Sequence, residues 1–481
     1  MKILVTIANY GTKNDAFLQK LLDEYNSMSY QVHLVVLTNV SKNLGQGVQV
    51  VVETPNGNPW SFPFAHRKVM ADRIREYDLF IYSEDDTLIK QQNIDAFLEA
   101  NQALRENEIA GFVRSERTSD GYESISTVHA HFHWDPCSIV SRGQHTFAHF
   151  TNEHSGSYIL IQEQLSRAIR SGGYLVPPHQ GKYHLPETAA TDPYTQCGFR
   201  KMICISRIGD FILPHLPNKY VGKLGLGSEE FLRQIQALED IRSGTRPSTS
   251  LLDRQPSAAQ GKWGKKYYEP TRQDLTELIP QGTQNVMSYG CGWGALEKKL
   301  VERGMDVTAI PLDAVIGACA EVRGLKVVYG TPREALKNIS NKRFDCIVAT
   351  DMLHLHPKPE ELLISFSRLL TAGGRIVVTV PNLQQLSVWW RRISRREAYR
   401  TLGSFARSGI HLTSHKMIRD WFKTAGLRIH QTLPVIPDKA KKIHQTLGSL
   451  SQRWLASEFL IVAGSPHSES DAAIRDSQTR L

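Results

Sequence analysis

The chain has 481 residues, of which 41% are hydrophobic and 22% charged, and its formal net charge is +9. A chain of this length predicts roughly two to three domains, and the composition is ordinary for globular domains that bury a core. No apolar stretch approaches the roughly 18 residues that a membrane-spanning helix needs, which argues against an integral membrane protein.

The net charge and the cysteines indicate which ligands and which cell compartment to expect. The positive charge suits anionic ligands or a membrane surface, but it does not by itself indicate nucleic acid. The six cysteines are scattered without a CxxC pair, which favours reduced thiols and a cytoplasmic location. Residues 1–7 read as a strand rather than a signal peptide, because the apolar run is short and Asn9 follows it.

The first half of the chain alternates strand and helix patterns. Residues 2–8 and 32–37 read as apolar strands on either side of an amphipathic helix at 14–25, which is a β-α-β pattern. A second helix, from about residue 64 to 76, leads into a strand at 79–82.

A composition shift separates this half from a second α/β series. Residues 243–263 are rich in Ser, Thr, Pro, Gln and Gly, which predicts a linker. We therefore expect one domain at 1–242, another at 264–464, and a disordered tail at 465–481. Strands of the second domain are expected near 285–289, 306–310, 326–329, 344–349 and 375–380.

Three consecutive acids, Glu84, Asp85 and Asp86, end the strand that begins at Leu79. Ligands of α/β sheets bind at the carboxyl ends of strands. Adjacent carboxylates there repel one another unless a cation neutralises them, and a hard divalent ion with substrate phosphates is the expected arrangement. The alternative is a solvated loop in which an Asp caps the next helix.

Together with residues 3–11 and 211–220, the acidic segment resembles bacterial glycosyltransferases of the GT-A fold, over roughly residues 1–225. The resemblance implies a nucleotide-sugar donor, a glycan or lipid-linked glycan acceptor, and a divalent metal, Mn²⁺ or Mg²⁺. The metal would act as a Lewis acid for the departing nucleoside diphosphate.

The same resemblance assigns site residues. It implies that Glu84 and Asp86 face the metal and that His215 is a third ligand. Inverting transfer would also need a carboxylate base near the acceptor hydroxyl. Glu187 and Asp192 are the candidates for that base.

A glycine turn, Tyr289-Gly290-Cys291-Gly292-Trp293-Gly294, follows an apolar run and precedes a helical one. Such a turn lets backbone approach a nucleotide-like ligand closely, although alone it is a weak signal. With the segments 344–351, 369–382 and 411–427 that follow in order, it resembles the class I S-adenosylmethionine (SAM)-dependent methyltransferases over about residues 262–435.

The methyltransferase resemblance implies SAM as cofactor, with Gly290, Gly292 and Gly294 at its amino-acid end. An acid after the second strand usually accepts hydrogen bonds from the ribose hydroxyls. Here Pro311 stands at that position, and Asp313 is the expected substitute.

Three further positions complete the predicted methyltransferase site. Ser288 replaces the acid usually found two residues before the first glycine. Asp351, just after the fourth strand, is a further predicted cofactor contact. A hydroxyl acceptor also needs a base, for which His356 is the candidate.

The run Trp389-Trp390-Arg391-Arg392-Ile393-Ser394-Arg395-Arg396 has two interpretations. A basic, aromatic amphipathic helix can lie at a membrane surface or bind phosphate-rich ligands. It can also be a solvated helix face over the substrate region, with its tryptophans packed inward.

The sequence therefore predicts a bifunctional enzyme of the α/β class: a GT-A-like nucleotide-sugar domain followed by a Rossmann-like class I methyltransferase domain. Its expected role is synthesis of a surface polysaccharide or glycoconjugate in the cytoplasm, with peripheral contact at the inner membrane left open. One alternative is a glycosyltransferase with a catalytically lapsed methyltransferase-like binding module. The other is a nucleic-acid methyltransferase, which the acids at 84–86 disfavour because carboxylates repel phosphates.

Overall fold

The computed structural model describes residues 1–52, 57–125, 130–221, 226–252, 255–258, 261–394, 399 and 401–466. Most of the predicted tail, from residue 467 on, lies outside the described residues, as do Arg395 and Arg396. The chain divides into two compact units, Met1–Arg242 and Ser243–Leu481.

The N-terminal unit mixes helices and strands throughout. Its strands are β1 (Lys2–Asn9), β2 (Gln31–Thr38), β3 (Val48–Val52), β4 (Leu79–Glu84), β5 (Glu108–Ala110), β6 (Val113–Arg117), β7 (Glu123–Ile125), β8 (Val140–Arg142), β9 (His145–Ala148), β10 (Ser157–Ile161), β11 (Arg200–Cys204), β12 (Ile212–Pro214) and β13 (Leu226–Gly227). Its helices are α1 (Asp15–Ser27), α2 (His66–Asp72), α3 (Gln91–Gln102), α4 (Gln162–Arg170), α5 (Leu185–Thr195) and α6 (Ser228–Arg242), with 3-10 helices at Pro59–Ala65, Pro136–Ser138 and Ile205–Phe211.

The main sheet of this unit has the order β10-β4-β1-β2-β3. Strand β1 pairs in parallel with β2 on one side and with β4 on the other, and β10 joins β4 antiparallel. From Ile3 onward every residue of β1 is buried, as its continuous apolar run predicts for a central parallel strand. The strand order reverses at β1, so the crevice at the carboxyl ends of β1 and β4 is the place where such sheets bind ligands.

Two smaller sheets, β5-β11-β9-β8 and β12-β6-β7-β13, complete the unit. Their strands are only two to five residues long, too short for the alternation that identifies a strand from sequence. The predicted helix at 64–76 is also shorter than expected, because prolines 59 and 63 fall in the 3-10 helix that precedes α2.

Asp192, a predicted base, is instead the buried partner of an ion pair. Its side chain has no exposed surface, and its Oδ2 lies 2.8 Å from a guanidinium nitrogen of Arg67. Arg67 also donates to the backbone carbonyls of Tyr174 and Thr188. Burial raises the pKa of Asp192, and Arg67 opposes that rise. A base must reach the acceptor hydroxyl; the structure gives Asp192 a buried ion-pair partner, and its role as a base stays a prediction.

The C-terminal unit also alternates strands and helices. Its strands are β14 (Asn285–Cys291), β15 (Asp306–Pro311), β16 (Lys326–Val327), β17 (Phe344–Thr350), β18 (Leu370–Pro381), β19 (Arg428–Val435) and β20 (Glu458–Gly464). Its helices are α7 (Gln273–Leu278), α8 (Ala295–Glu302), α9 (Ala314–Glu321), α10 (Pro332–Asn338), α11 (Pro359–Leu369), α12 (Leu386–Ile393), α13 (Phe405–Ser408), α14 (His415–Thr424), α15 (Asp438–Leu447) and α16 (Gln452–Leu455), with 3-10 helices at Leu353–Leu355 and Gly448–Ser451.

A seven-stranded sheet of order β16-β15-β14-β17-β18-β20-β19 organises this unit. Strand β14 pairs in parallel with β15 and β17, whereas β20 runs antiparallel between β18 and β19. The five strands expected from the sequence are confirmed. The sheet buries an apolar core that includes Leu300, Val307 and Val377.

Residues 243–263, predicted as a linker, belong in part to the packed C-terminal unit. Leu251 and Ala258 are buried, and the Leu251 N–H donates to the carbonyl of Leu312. Among the described residues, no helix combines the length and apolarity needed to cross a membrane.

We predict that Arg67→Met destabilises the N-terminal unit by about 3–5 kcal/mol, because it leaves the Asp192 carboxylate buried without its cation. Urea unfolding of the full chain measures this. Lys68→Met is the matched control: it lies next along α2 and pairs with Asp72 at the surface, so it should change stability by no more than about 0.5 kcal/mol. Equal effects of the two variants would contradict the structural importance of the buried pair.

Candidate functional site

The glycine turn connects β14 to α8 at the carboxyl end of the central strand. Gly290 and Gly294 have φ values of +79° and +86°, which glycine adopts at little cost. A Cβ at Gly290 would lie 2.4 Å from the sulfur of Met352, and one at Gly292 would lie 2.1 Å from the carbonyl oxygen of Tyr267. Contacts within the chain therefore require the glycines, in addition to any close approach of a ligand.

Asp313 is the N-cap of α9. Its Oδ1 accepts hydrogen bonds from the N–H groups of Val315 and Ile316, both at 2.8 Å, and only 3% of the residue is exposed. Ser250 forms a β-bridge with Asp313, so the segment around residue 250 covers it. The structure gives Asp313 a capping role that the sequence analysis missed, and its contact with a ribose stays a prediction.

A carboxyl group does lie beside Ser288, where the sequence lacks the usual acid. The Ser288 hydroxyl donates to Oε1 of Glu297 at 2.6 Å, and both residues are buried. Burial raises the pKa of Glu297. A carboxyl group therefore lies beside β14 although the strand itself has no acid at this position, because α8 brings Glu297 next to Ser288.

A buried polar cluster lies at the end of β17, where the sequence analysis placed no residue except Asp351. The Lys265 ammonium, with a fully buried side chain, donates to Glu269 Oε1 at 2.9 Å and to the Thr350 hydroxyl at 2.6 Å. Asp351 follows with a φ of +50°, and its Oδ1 accepts from the Thr379 hydroxyl at 3.0 Å. The four-residue spacing of Lys265 and Glu269 was the one available sequence signal.

The histidines after β17 have local partners. The N–H of Lys358 donates to Nδ1 of His356 at 3.1 Å, and His411 Nε2 bonds the His356 carbonyl at 3.0 Å. His354 lies deeper, with Nε2 on the carbonyl of Trp263 at 2.7 Å, and burial lowers its pKa. These contacts stabilise the loop before α11, and the role of His356 as a base stays a prediction.

In the N-terminal unit, Asp85 occupies the crevice where the strand order reverses. The side-chain amides of Asn9, at the end of β1, and Asn14 each donate to its carboxylate at 2.7 Å. Burial raises the pKa of Asp85 to about 6. Asn9 and Asp85 therefore join the ends of β1 and β4 in one polar cluster.

The predicted metal ligands separate into two ion-pair groups. Glu84 lies 3.0 Å from His154 and 3.8 Å from Arg114, and although burial would raise its pKa, His154 and Arg114 lower it to about 2. Asp86 lies 3.4 Å from His215, as expected for neighbouring ligands, but His215 also contacts Glu116. Within the described ranges, no group of three or more His, Cys, Asp or Glu side chains is arranged to hold a metal ion.

Glu187 lines a cleft of about 450 Å³ between the 3-10 helix at Pro59–Ala65 and the start of α5. Its Oε2 is buried without a hydrogen-bond partner among the described residues, and exposed Trp60 forms another wall. Of the two predicted bases in this unit, Glu187 alone borders open space.

The C-terminal fold and its glycine turn define a class of protein: a doubly wound α/β domain that binds a nucleotide-type cofactor at the carboxyl edge of its sheet. A family model described as a methyltransferase domain matches residues 260–432. This region is a class I SAM-dependent methyltransferase domain. The match begins after the N-terminal unit has ended.

Similar proteins carry methyltransferase names. The ubiquinone biosynthesis O-methyltransferase of Xylella fastidiosa is 29% identical over 119 residues, which are 24% of this chain and 48% of that protein. An uncharacterized methyltransferase of Mycobacterium bovis is 31% identical over 108 residues, covering 22% of this chain and 54% of its own. The chain thus spans about half the length of these relatives. A SAM-dependent methyltransferase structure from Archaeoglobus fulgidus has 17% identity and a TM-score of 0.30, covering 40% of this chain and 90% of that one.

We expect Gly292→Ala to destabilise the C-terminal unit by about 1–3 kcal/mol, because the new methyl group overlaps a backbone carbonyl, and to weaken SAM binding by displacing the turn. Unfolding curves and calorimetric titration with SAM measure the two effects. Gly324→Ala is the control, since Gly324 has a φ of +81° but open space around its Cβ; it should cost about 1–2 kcal/mol of strain and leave SAM affinity unchanged. Unchanged affinity in Gly292→Ala would contradict a cofactor site at the turn.

Asp85 predicts a pH dependence in the N-terminal unit. The folded state holds the Asp85 proton up to about pH 6, whereas the ordinary pKa is 3.8. Between these values the folded state binds more protons than the unfolded state, so stability falls as pH rises, by about 2–3 kcal/mol. The lowered pKa of Glu84 affects stability only under its ordinary value of 4.5, so above that pH the change comes from Asp85 and not from Glu84.

The measurement is urea unfolding of wild type and Asp85→Asn between about pH 4.5 and about pH 7. The free energy of unfolding of wild type should fall relative to that of the variant as pH rises, with most of the change complete near pH 6. Parallel curves for the two proteins would show that Asp85 ionises normally in the folded state.

Proposed function

We propose that the C-terminal unit transfers a methyl group from SAM to a hydroxyl oxygen. The observation that carries the proposal is the glycine turn at the carboxyl end of β14, in the region that matches a methyltransferase domain. The named relatives that methylate oxygen support an O-linked acceptor. Methyl transfer is an in-line displacement that depends chiefly on proximity and orientation.

The residues at this edge fit SAM. The glycines of the turn, Gly290, Gly292 and Gly294, lack Cβ atoms that could keep the amino-acid end of the cofactor away from the backbone, and Asp313 would supply a carboxylate for the ribose hydroxyls. Asp351 borders the same edge, and His356 would take the proton of the acceptor hydroxyl. SAM would supply an electrophilic methyl group there, and the chain's own residues would orient the acceptor and exclude water.

We further propose that the N-terminal unit binds a nucleotide sugar and transfers its glycosyl group, which would make the enzyme bifunctional. The supporting observation is the polar cluster of Asn9, Asn14 and Asp85 at the reversal of strand order, where α/β sheets bind ligands. Of the two candidate bases, Glu187 borders the cleft beside Trp60. Glu84 already contacts His154 and Arg114, and His215 already contacts both Asp86 and Glu116, so these residues do not fit the predicted metal and we assign it no step.

Fusing the two activities would raise the effective concentration of one product near the second site. A glycan or lipid-linked glycan would be the shared substrate class. The cysteine pattern supports a cytoplasmic setting for both reactions.

Asp313→Asn is the sharpest test of the cofactor site, because Asn caps helices as well as Asp does but lacks the charge. We expect wild type to bind SAM, and Asp313→Asn to bind it about 10- to 100-fold more weakly, since hydrogen bonds to a charged acceptor contribute about 1.5–3 kcal/mol. Calorimetric titration of the full chain measures this. Asp313→Ala should lose affinity and, in addition, about 1 kcal/mol of stability.

If Asp313→Asn binds SAM as tightly as wild type does, Asp313 acts only as a helix cap. If wild type does not bind SAM at millimolar concentration, the alternative of a catalytically lapsed methyltransferase-like module is supported instead. Steeply salt-dependent binding to RNA or DNA would support the nucleic-acid alternative. For the N-terminal unit, hydrolysis of a panel of nucleotide sugars with Mn²⁺ and with a chelator tests the donor; turnover that chelation abolishes would contradict our decision to assign no metal to Glu84 and Asp86.

A further inference from the structure

Helix α12 presents an apolar stripe to solvent. Leu386, Trp389, Trp390 and Ile393 are 52%, 46%, 66% and 55% exposed. Their spacing of three, four and seven residues places them on one face of a helix. Val388 on the same helix is buried and anchors it to the unit. We call these four exposed residues the tryptophan stripe.

The tryptophan stripe lies in a strongly basic segment. Residues 382–396 contain four arginines and no aspartate or glutamate. Arg391 and Arg392 belong to α12 itself, and Arg391 donates to the Tyr399 hydroxyl at 2.7 Å, which holds one charge beside the stripe. Helix α12 therefore combines exposed large apolar groups with two arginines and no acid.

A second exposed basic region lies in the connection that leads into β20 at the same edge of the sheet. Pro381, at the end of β18, pairs with Glu458, at the start of β20, so α12 follows and α16 precedes the same pair of strands. The side-chain amide of Asn382 donates to the carbonyl of Arg453 at 3.0 Å, which joins the two connections. Beside Arg453, Trp454 is 58% exposed.

Helix α15 adds to this region. Its exposed side chains include Ile443, which is 51% exposed, and Lys439, Lys441 and Lys442. Between residues 438 and 457 the one acid is Asp438, which pairs with Lys441. Both connections at this edge are therefore basic, and both expose large apolar side chains.

The carboxyl end of β18 also carries the proposed methyl-donor site. Strands β14, β17 and β18 are parallel, so Cys291, Thr350 and Pro381 end at one edge of the sheet. The tryptophan stripe therefore borders the edge from which an acceptor would reach the methyl group. This placement rests on the proposed function, whereas the exposure and the charge of the surface do not.

We propose that the tryptophan stripe binds the surface of an anionic lipid bilayer. Tryptophans occupy the boundary between headgroups and acyl chains, and Arg and Lys beside them are attracted to anionic headgroups. Leu386 and Ile393 enter the acyl region, and Arg391 and Arg392 stay at the phosphates. Contact with the bilayer places a lipid-linked acceptor at the mouth of the methyl-donor site.

Flotation of the full chain with lipid vesicles tests this proposal. Wild type should float with vesicles of phosphatidylcholine plus phosphatidylglycerol, and much less with phosphatidylcholine alone. Trp389→Ser/Trp390→Ser should bind the anionic vesicles at least about tenfold more weakly, because two large apolar side chains no longer leave water. Lys439→Gln/Lys442→Gln should weaken binding about fivefold for each charge near the surface.

Trp60→Ser is the matched control, since Trp60 is exposed in the N-terminal unit, and it should bind vesicles like wild type. Circular dichroism and SAM titration of each variant separate loss of membrane contact from loss of fold or of the cofactor site. The proposal is overturned if wild type does not bind anionic vesicles at low salt, or if the tryptophan variant binds them equally well. It is also overturned if that variant loses a self-association of wild type without any change in vesicle binding, which assigns the stripe to a second copy of the chain.

Discussion

Parallel pairing of β14 with a strand on each side is the constraint on which the C-terminal unit depends. It brings the ends of three neighbouring strands to one edge, where the chain must leave β14 in a single tight turn. Two of the turn residues accordingly adopt left-handed backbone angles, and Gly292 packs directly against the carbonyl of Tyr267. The cofactor region follows from these steric requirements before any ligand is considered.

The same constraint explains the buried cluster of Lys265, Glu269 and Thr350. A segment that crosses the strand ends closely enough to touch Gly292 also brings Lys265 under the sheet edge, where an unpaired ammonium would be unstable. Glu269 and the Thr350 hydroxyl supply its partners. The cluster thus fixes the position of the segment that forms one wall of the glycine turn.

The sequence predicted the long strands well, because β1, β4, β14 and β17 are buried on both faces and read as continuous apolar runs. It did not predict the antiparallel insertion of β20 between β18 and β19, which depends on pairing between distant segments. Nor did it predict where carboxylates would find partners: Asp192 meets Arg67 across 125 positions of the chain, a contact that no local pattern encodes.

The candidate sites likewise have some features that local sequence patterns predict and others that depend on packing. Residue types and spacing identified the glycine turn and the acidic strand end, because these are local patterns. The roles of single acids depended on packing: Asp313 caps a helix, Glu84 contacts His154 and Arg114, and Asp85 accepts hydrogen bonds from two asparagines. Exposure likewise separated the two predicted bases of the N-terminal unit, since Asp192 is sealed and Glu187 borders a cleft.

The pair of Ser288 and Glu297 has a consequence for how relatives of this chain are recognised. A sequence profile compares residues at aligned positions, and at the position of Ser288 it registers that the usual acid is absent. In space the carboxyl group is present, because the first turn of α8 returns it to within 2.6 Å of the serine hydroxyl. A structural search that uses distances around the end of β14 would find relatives in which the carboxyl group has moved from the strand to the helix. A search that requires an acid at the position of Ser288 would miss them.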